Sequence, residues 1–223
     1  MRTPRDCERI DRVQNALQKA EWDALVCARP SNVLLLTGYC PVIGTSIAVA
    51  THEGKIGLIA PEDERELAAK GYADELETFK GGSLEKITTA AQNMRQPLAR
   101  LGKKFKIKRT SGFEHEAMFE PASYVGVHSY SGGLREMLTD AIPVPFVPAD
   151  EVLSRLRAAV TPFELVRIRT ACIIAEQAYF IGASQLRCGL TETETATLFR
   201  VPLSRLNFDG KEVQRAEGFV YCM

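Results

Sequence analysis

Apolar residues change their period several times along this chain, and each change marks an element. From Arg5 to Glu21, Ile10, Val13, Leu17 and Ala20 fall on one face of a 3.6-residue repeat with charges elsewhere, which predicts an amphipathic helix. Ala24-Leu25-Val26-Cys27-Ala28 is continuously apolar and short, as a strand buried on both faces would be. Arg29-Pro30-Ser31-Asn32 reads as a turn, and the apolar run Val33 to Thr37 lasts until Gly38 breaks it. Ser46-Ile47-Ala48-Val49-Ala50 and Lys55-Ile56-Gly57-Leu58-Ile59-Ala60 flank Thr51-His52-Glu53-Gly54, a hairpin pattern.

Pro61-Glu62-Asp63-Glu64 then predicts a helix start, with Gly71 able to close the other end. Ser83 is the expected N-cap of a helix through Leu84, Ile87 and Ala91, ending or kinking near Pro97. Lys104-Phe105-Lys106-Ile107-Lys108 alternates with period two, the mark of a strand with one wet face. Residues 111–133 give no clear pattern, Leu134 to Leu138 reads as helix, and Pro143 to Pro148 as extended chain.

After Asp150 the pattern is almost wholly helical, which places a boundary at about 150 and gives units 1–149 and 150–223. Thr161-Pro162-Phe163-Glu164 has the form of a capping box with proline at the first helical position, and Val160 and Leu165 sit where a hydrophobic staple would. Leu165, Ile168, Cys172, Ala175 and Tyr179 follow at helical spacing, and Thr191-Glu192-Thr193-Glu194 repeats the capping logic. The second unit reads as incomplete. Two helices and the tail Ala216 to Met223, a strand that stops in mid-pattern, cannot close a core alone, so truncation is expected, with a terminal strand added to the first unit's sheet as the alternative.

Composition narrows the function classes. With 45% hydrophobic and 25% charged residues, 223 residues suffice for a sizeable core. Lys+Arg and Asp+Glu are both 28, so no basic excess points to nucleic acid. No apolar run approaches the roughly 20 residues of a membrane span. The N-terminus lacks the apolar stretch of a secretory signal, and a cytoplasmic protein is the expectation. The six cysteines, Cys7, Cys27, Cys40, Cys172, Cys188 and Cys222, form no C-x-x-C pair and read as free thiols. His52, His115 and His128 are far apart, so no metal site is expected within the chain.

Individual candidates for chemistry resolve to bland roles. Gly81-Gly82-Ser83 lacks the rest of a phosphate-binding motif and reads as a turn and cap. Glu114-His115-Glu116 has a spacing that does not converge side chains on a helix, and reads as a surface strand. His128, Ser129 and Ser131 have no nucleophile elbow, and Cys40 has no nearby cation to activate it. No catalytic residue is assigned.

A collinear set of motifs goes further. Arg29-Pro30-Ser31-Asn32-Val33-Leu34-Leu35-Leu36-Thr37-Gly38-Tyr39 resembles the P-x-N-[IV]-x-[YW]-L-[TS]-G-[FY] signature of the creatinase/prolidase N-terminal domain. Leu156-Arg157-Ala158-Ala159-Val160-Thr161-Pro162-Phe163-Glu164 resembles the L-R-x-x-K-[TS]-x-x-E junction into the catalytic domain of the same superfamily, with Val160 in place of the lysine. Ile168 to Ala175 and Gly189 to Glu194 resemble the I-R-x-A-x-x-[IA]-A and G-x-[TS]-E-x-E helices that follow.

The resemblance implies an α/β fold, a ribonuclease H-like mixed sheet flanked by helices, followed by the first helices of a truncated pita-bread α+β domain. It further implies the N-terminal portion of an M24-type Xaa-Pro aminopeptidase or prolidase, with roles in capping the active site and in homodimer formation. The family's two-metal centre (Mn, Co or Zn) uses two aspartates, one histidine and two glutamates downstream of the T-E-x-E helix, so no ligand can be carried onto this chain. The chain alone is expected to be inactive, and the implied substrate of the parent is a proline-containing peptide. A creatinase-like C–N amidinohydrolase parent and a non-catalytic binding scaffold are the alternatives. The loop Tyr39 to Thr45 corresponds to one near the family's active-site mouth, which makes Tyr39, Val42 and Ile43 the substrate-loop candidates. Tucking of Val42 and Ile43 into the domain's own core is the competing expectation.

Overall fold

The computed structural model describes residues 3–42, 46–83, 85, 87–115, 133–203, 207–208 and 211–212. The chain divides into two compact units, of which the first holds residues 1–122 and 126–159 and the second residues 123–125 and 160–223.

Unit 1 is built on a mixed six-stranded sheet in the order β4-β3-β2-β1-β5-β6. Its strands are β1 (Ala24–Cys27), β2 (Ile47–Thr51), β3 (Ile56–Pro61), β4 (Glu75–Phe79), β5 (Ser111–Phe113) and β6 (Phe146–Pro148). The β1–β2 and β2–β3 pairs are antiparallel; β3–β4, β1–β5 and β5–β6 are parallel. Successive strand residues face opposite sides, so the continuous apolar run of β1 feeds two cores. Leu25 and Cys27 pack with Ile10, Val13 and Leu17 of α1 (Cys7–Lys19), Val33 and Leu36 of α2 (Pro30–Thr37), and Leu153 and Leu156 of α6 (Asp150–Ala158). Ala24 and Val26 pack on the other side with Leu98 and Leu101 of α4 (Ala90–Lys104) and Met137 and Leu138 of α5 (Leu134–Ala141). Three layers result, with helices on both faces of the sheet, as expected of an α/β fold.

Local sequence accounts for α1, β1, the β2–β3 hairpin, α5 and β6. Other expectations are corrected. The N-cap of this helix is Thr89, not Ser83; α4 begins at Ala90, where Thr89 and Gln92 form the capping box, and Pro97 lies inside the helix. The helix expected after Pro61 is a 3-10 turn over Glu62–Glu64 followed by the single turn α3 (Arg65–Ala68). The alternation at 104–108 is not a strand. Lys104 ends α4, Lys106 adopts φ 53°, and Phe105 and Ile107 pack against the core from a tight helix exit. The segment expected to turn at Pro30 is helical, and Gly38 closes it at φ 68°.

Two polar devices hold the layers in register. Asp23, at the start of β1, accepts the amides of Lys108 and Arg109 at 2.8 Å each and the Arg109 guanidinium at 2.8 Å. Burial works against its charged form, but those donors and the Arg109 charge outweigh it and hold the carboxyl below its usual range. Arg9, a fully buried side chain of α1, donates to the carbonyls of Leu156 and Ala159, and Arg12 donates to Ala159 at 2.7 Å. These carbonyls are the unsatisfied C-terminal acceptors of α6, where cations are favoured. The change of pattern near Asp150 thus coincides with the start of α6, a helix of the first unit that runs on to its limit at Ala159.

Unit 2 contains α7 (Pro162–Ala183), α8 (Glu192–Leu203) and the two-residue strands β7 (Asn207–Phe208) and β8 (Lys211–Glu212). Both capping boxes form. Thr161 Oγ1 accepts the Glu164 amide at 3.1 Å while Glu164 accepts the Thr161 amide at 2.9 Å, and Thr191 and Glu194 repeat the exchange. Gly182 allows close packing, since a Cβ there would meet the Phe199 ring at 2.5 Å. The apolar face expected from the helical spacing is not the buried one. Ile174, Ala178 and Gly182 are buried, whereas Leu165, Ile168, Cys172, Ala175 and Tyr179 are exposed. The tail from Ala216 lies outside the described residues. Thr161→Ala removes one half of the first box and is expected to cost about 0.5–2 kcal/mol of helix stability, read as a lower unfolding midpoint of unit 2; an unchanged midpoint would contradict the capping role.

Candidate functional site

The signature segment supplies α2 and the loop that leaves it, and a buried carboxylate holds each end. At the N-terminal end the backbone offers no capping side chain, since Arg29 occupies the N-cap. The chain entering the helix is held instead by Glu114, the residue after β5. Its Oε2 accepts the amides of Ala28 and Arg29 at 2.8 and 2.7 Å, and its Oε1 accepts the Asn32 side-chain amide. The Glu114 amide in turn donates to Val26 at 2.9 Å, continuing the β1–β5 ladder. Glu114 is 1% exposed, and the Arg29 guanidinium stands 3.6 Å away, also buried. Burial pushes its carboxyl above the usual range, outweighing the four groups that favour the charge.

The expectation of a surface strand at Glu114-His115-Glu116 is therefore corrected. β5 ends at Phe113, Glu114 turns into the protein, and His115 is exposed with its ring edge-on to Phe113 at 5.8 Å. Glu116 lies outside the described residues. The partners of Glu114 are 82 to 86 positions away, so no local spacing reveals them. Asn32 is the available signal: an amide set into an apolar run needs a polar partner once buried.

At the C-terminal end, Thr37 Oγ1 donates to the Val33 carbonyl at 2.7 Å and accepts the Tyr39 amide at 3.1 Å. The Thr37 carbonyl accepts the Tyr72 amide at 2.8 Å, and the Tyr72 hydroxyl reaches the Leu35 carbonyl at 2.9 Å. Tyr39 is buried and donates from its hydroxyl to Glu64 Oε2 at 2.5 Å, and burial followed by this carboxylate pushes its phenol pKa up. The Val42 amide donates to the same oxygen at 2.8 Å. Of the three substrate-loop candidates, Tyr39 is thus a buried anchor and Val42 is 47% exposed, while Ile43 lies outside the described residues. Pro41 is buried and Cys40 is exposed.

Gly81 to Ser83 form exposed, non-helical chain, and residues 128–131 lie outside the described residues. Cys7, Cys27, Cys40, Cys172 and Cys188 are free thiols, Cys27 being fully buried with its pKa raised by burial and by Glu114. Among the described residues, no group of three or more His, Cys, Asp or Glu could hold a metal ion, and no helix is long and apolar enough to cross a membrane. Both carboxylates that hold the segment accept donors from their own fold, which suits them to fix its geometry. Gly38→Ala is expected to destabilise unit 1 by at least about 1–2 kcal/mol through the left-handed backbone alone, because its Cβ would also meet the Tyr72 ring at 2.6 Å. A wild-type thermal midpoint would contradict this.

With the geometry in hand, comparisons identify what the chain is similar to. Residues 9–159 match the creatinase/prolidase N-terminal domain family. Among solved structures, the prolidase of Pyrococcus horikoshii OT3 superimposes with a TM-score of 0.60 at 22% identity, covering 87% of this chain and 48% of that one. The X-Pro aminopeptidase of Thermotoga maritima MSB8 gives 0.62 at 18% identity, covering 86% and 48%. The Xaa-Pro dipeptidase of Bacillus anthracis gives 0.58 at 19%, covering 88% and 48%. The chain spans about half the length of these structures. A search of curated protein sequences finds no match.

Proposed function

The chain belongs to the creatinase/prolidase N-terminal domain family, and on that premise we propose that it is the N-terminal portion of a Xaa-Pro aminopeptidase or prolidase-like metallopeptidase. In this reading residues 1–149 form the N-terminal-like domain, and residues 150–223 form the junction and the start of the pita-bread catalytic domain. The first part caps the active site of the parent and supports a homodimer in the cytoplasm. Tyr39, Val42 and Ile43 belong to a loop at the mouth of the site, with Tyr39 fixing the loop and Val42 presented by it.

The observation that carries this reading is the family match ending at Ala159, followed at once by a helix with apolar residues distributed all round it. Val166, Ile173, Tyr179 and Phe180 of α7 are all exposed, Phe180 by 64%. A helix of that kind is a core helix of a larger domain, and an isolated soluble protein rarely leaves so much apolar surface open. The structures at TM-scores of 0.58 to 0.62 are a prolidase, a Xaa-Pro dipeptidase and an X-Pro aminopeptidase, which favours peptide over creatine-type substrates for the parent.

Two divalent ions are implied for the parent, where such a pair activates water and polarises a carbonyl. The described residues of this chain do not fit that centre, because no His/Cys/Asp/Glu cluster among them could hold even one ion. In the proposed reading, the residues that hold the metal ions lie outside the described residues. Reading the gene beyond codon 223 is expected to reveal two aspartates, one histidine and two glutamates as a downstream ligand set, and their absence would overturn the metallopeptidase reading. The purified chain alone is expected to leave Xaa-Pro dipeptides intact in the presence of Mn, and to bind no Mn, Co or Zn stoichiometrically. Turnover abolished by a chelator would contradict this division of labour.

A further inference from the structure

The loop that leaves α2 is held from outside the signature, by Glu64. This side chain is buried and stands at the end of the 3-10 turn that follows β3. A single oxygen, Oε2, receives the Tyr39 hydroxyl at 2.5 Å and the Val42 amide at 2.8 Å. The two donors flank Cys40 and Pro41, so one acceptor closes the chain across both residues. Upstream, the loop starts from a rigid point, because Gly38 ends α2 in the left-handed conformation and Thr37 Oγ1 accepts the Tyr39 amide. The Tyr39 side chain is buried in the same apolar core as Tyr72 and Leu36.

We infer that Glu64 is the positioning residue of this loop, setting the backbone from which Val42 is presented; its bearing on peptide binding rests on the loop reading proposed above. Glu64 acts through the Tyr39 hydroxyl and the Val42 amide. The chemistry requires an oxygen with two lone pairs at this reach. A glutamine carbonyl can also accept both donors, whereas alanine leaves a buried hydroxyl and an amide without their acceptor.

The test uses the 223-residue chain and reads the loop rather than turnover. Glu64→Ala is expected to speed hydrogen exchange at the Val42 amide by about tenfold, the order set by one net hydrogen bond, and to speed alkylation of Cys40 as followed by peptide mass spectrometry. Glu64→Gln is expected to stay near the wild-type rates. Tyr39→Phe is expected to give a smaller acceleration than Glu64→Ala, and none when added to it, since both act through one oxygen. Wild-type exchange in a folded Glu64→Ala protein, or a Glu64→Gln protein that behaves like Glu64→Ala, would overturn the inference. If Glu64→Ala fails to fold, unchanged Val42 exchange in Tyr39→Phe overturns it equally. Because these readouts need no enzyme activity, they are separable from the loop reading. In the longer enzyme that reading fails on its own if Val42→Ala leaves KM unchanged.

Discussion

The buried carboxylate of Glu114 is the tie on which the signature half of this domain depends. It stands where β5 ends, and it satisfies amides at the end of β1 and the start of α2 together with the side chain of Asn32. One group therefore fixes the place of a helix relative to two parallel strands. Burial raises its pKa even against these donors and the neighbouring Arg29. The arrangement is thus costly to desolvate, and its value lies in specifying one geometry more than in adding net stability. The second carboxylate, Glu64, does the same for the far end of the segment, so α2 enters and leaves through buried acceptors supplied by distant parts of the chain.

This dependence on distant partners explains what was legible in the sequence. The β2–β3 hairpin, α1, β1 and both capping boxes rest on interactions within a few residues, and local pattern reveals them. The motifs of the signature and junction were legible as a family resemblance, and the family match covers residues 9–159. Glu114 was not legible, because adjacent Glu-His-Glu spacing describes a surface strand unless the 82- to 86-residue contacts are known. The alternation at 104–108 misled for a related reason. Phe105 and Ile107 are apolar because a helix exit packs them on the core, and Lys106 reaches φ 53° to allow it. Ser83 and Thr89 are both acceptable caps in sequence, and only the reciprocal bond from Gln92 distinguishes the one used.

Within the second unit the capping boxes set where α7 and α8 begin, but helical spacing alone misjudged which side of α7 is covered. A helix with apolar residues all round has no preferred face until its neighbours are in place. Here α8 covers the side carrying Gly182, against which the Phe199 ring packs. Tyr179 and Phe180 remain exposed, with their rings edge-on to each other at 6.2 Å. That remaining apolar surface, following directly on the family-matched residues, is the physical support for the proposal that the chain is part of a larger protein.

The central claim, that a non-local carboxylate holds the signature segment in place, is tested most directly by the unfolding free energy of Glu114→Ala. The substitution leaves the Ala28 and Arg29 amides, the Asn32 amide and the Arg29 guanidinium buried without their shared acceptor. A loss of about 3–5 kcal/mol is predicted, as for breaking one side of a buried ion pair, with amide exchange accelerating first at residues 28 and 29. A loss below about 0.5 kcal/mol, the level of an ordinary surface substitution, would contradict the account.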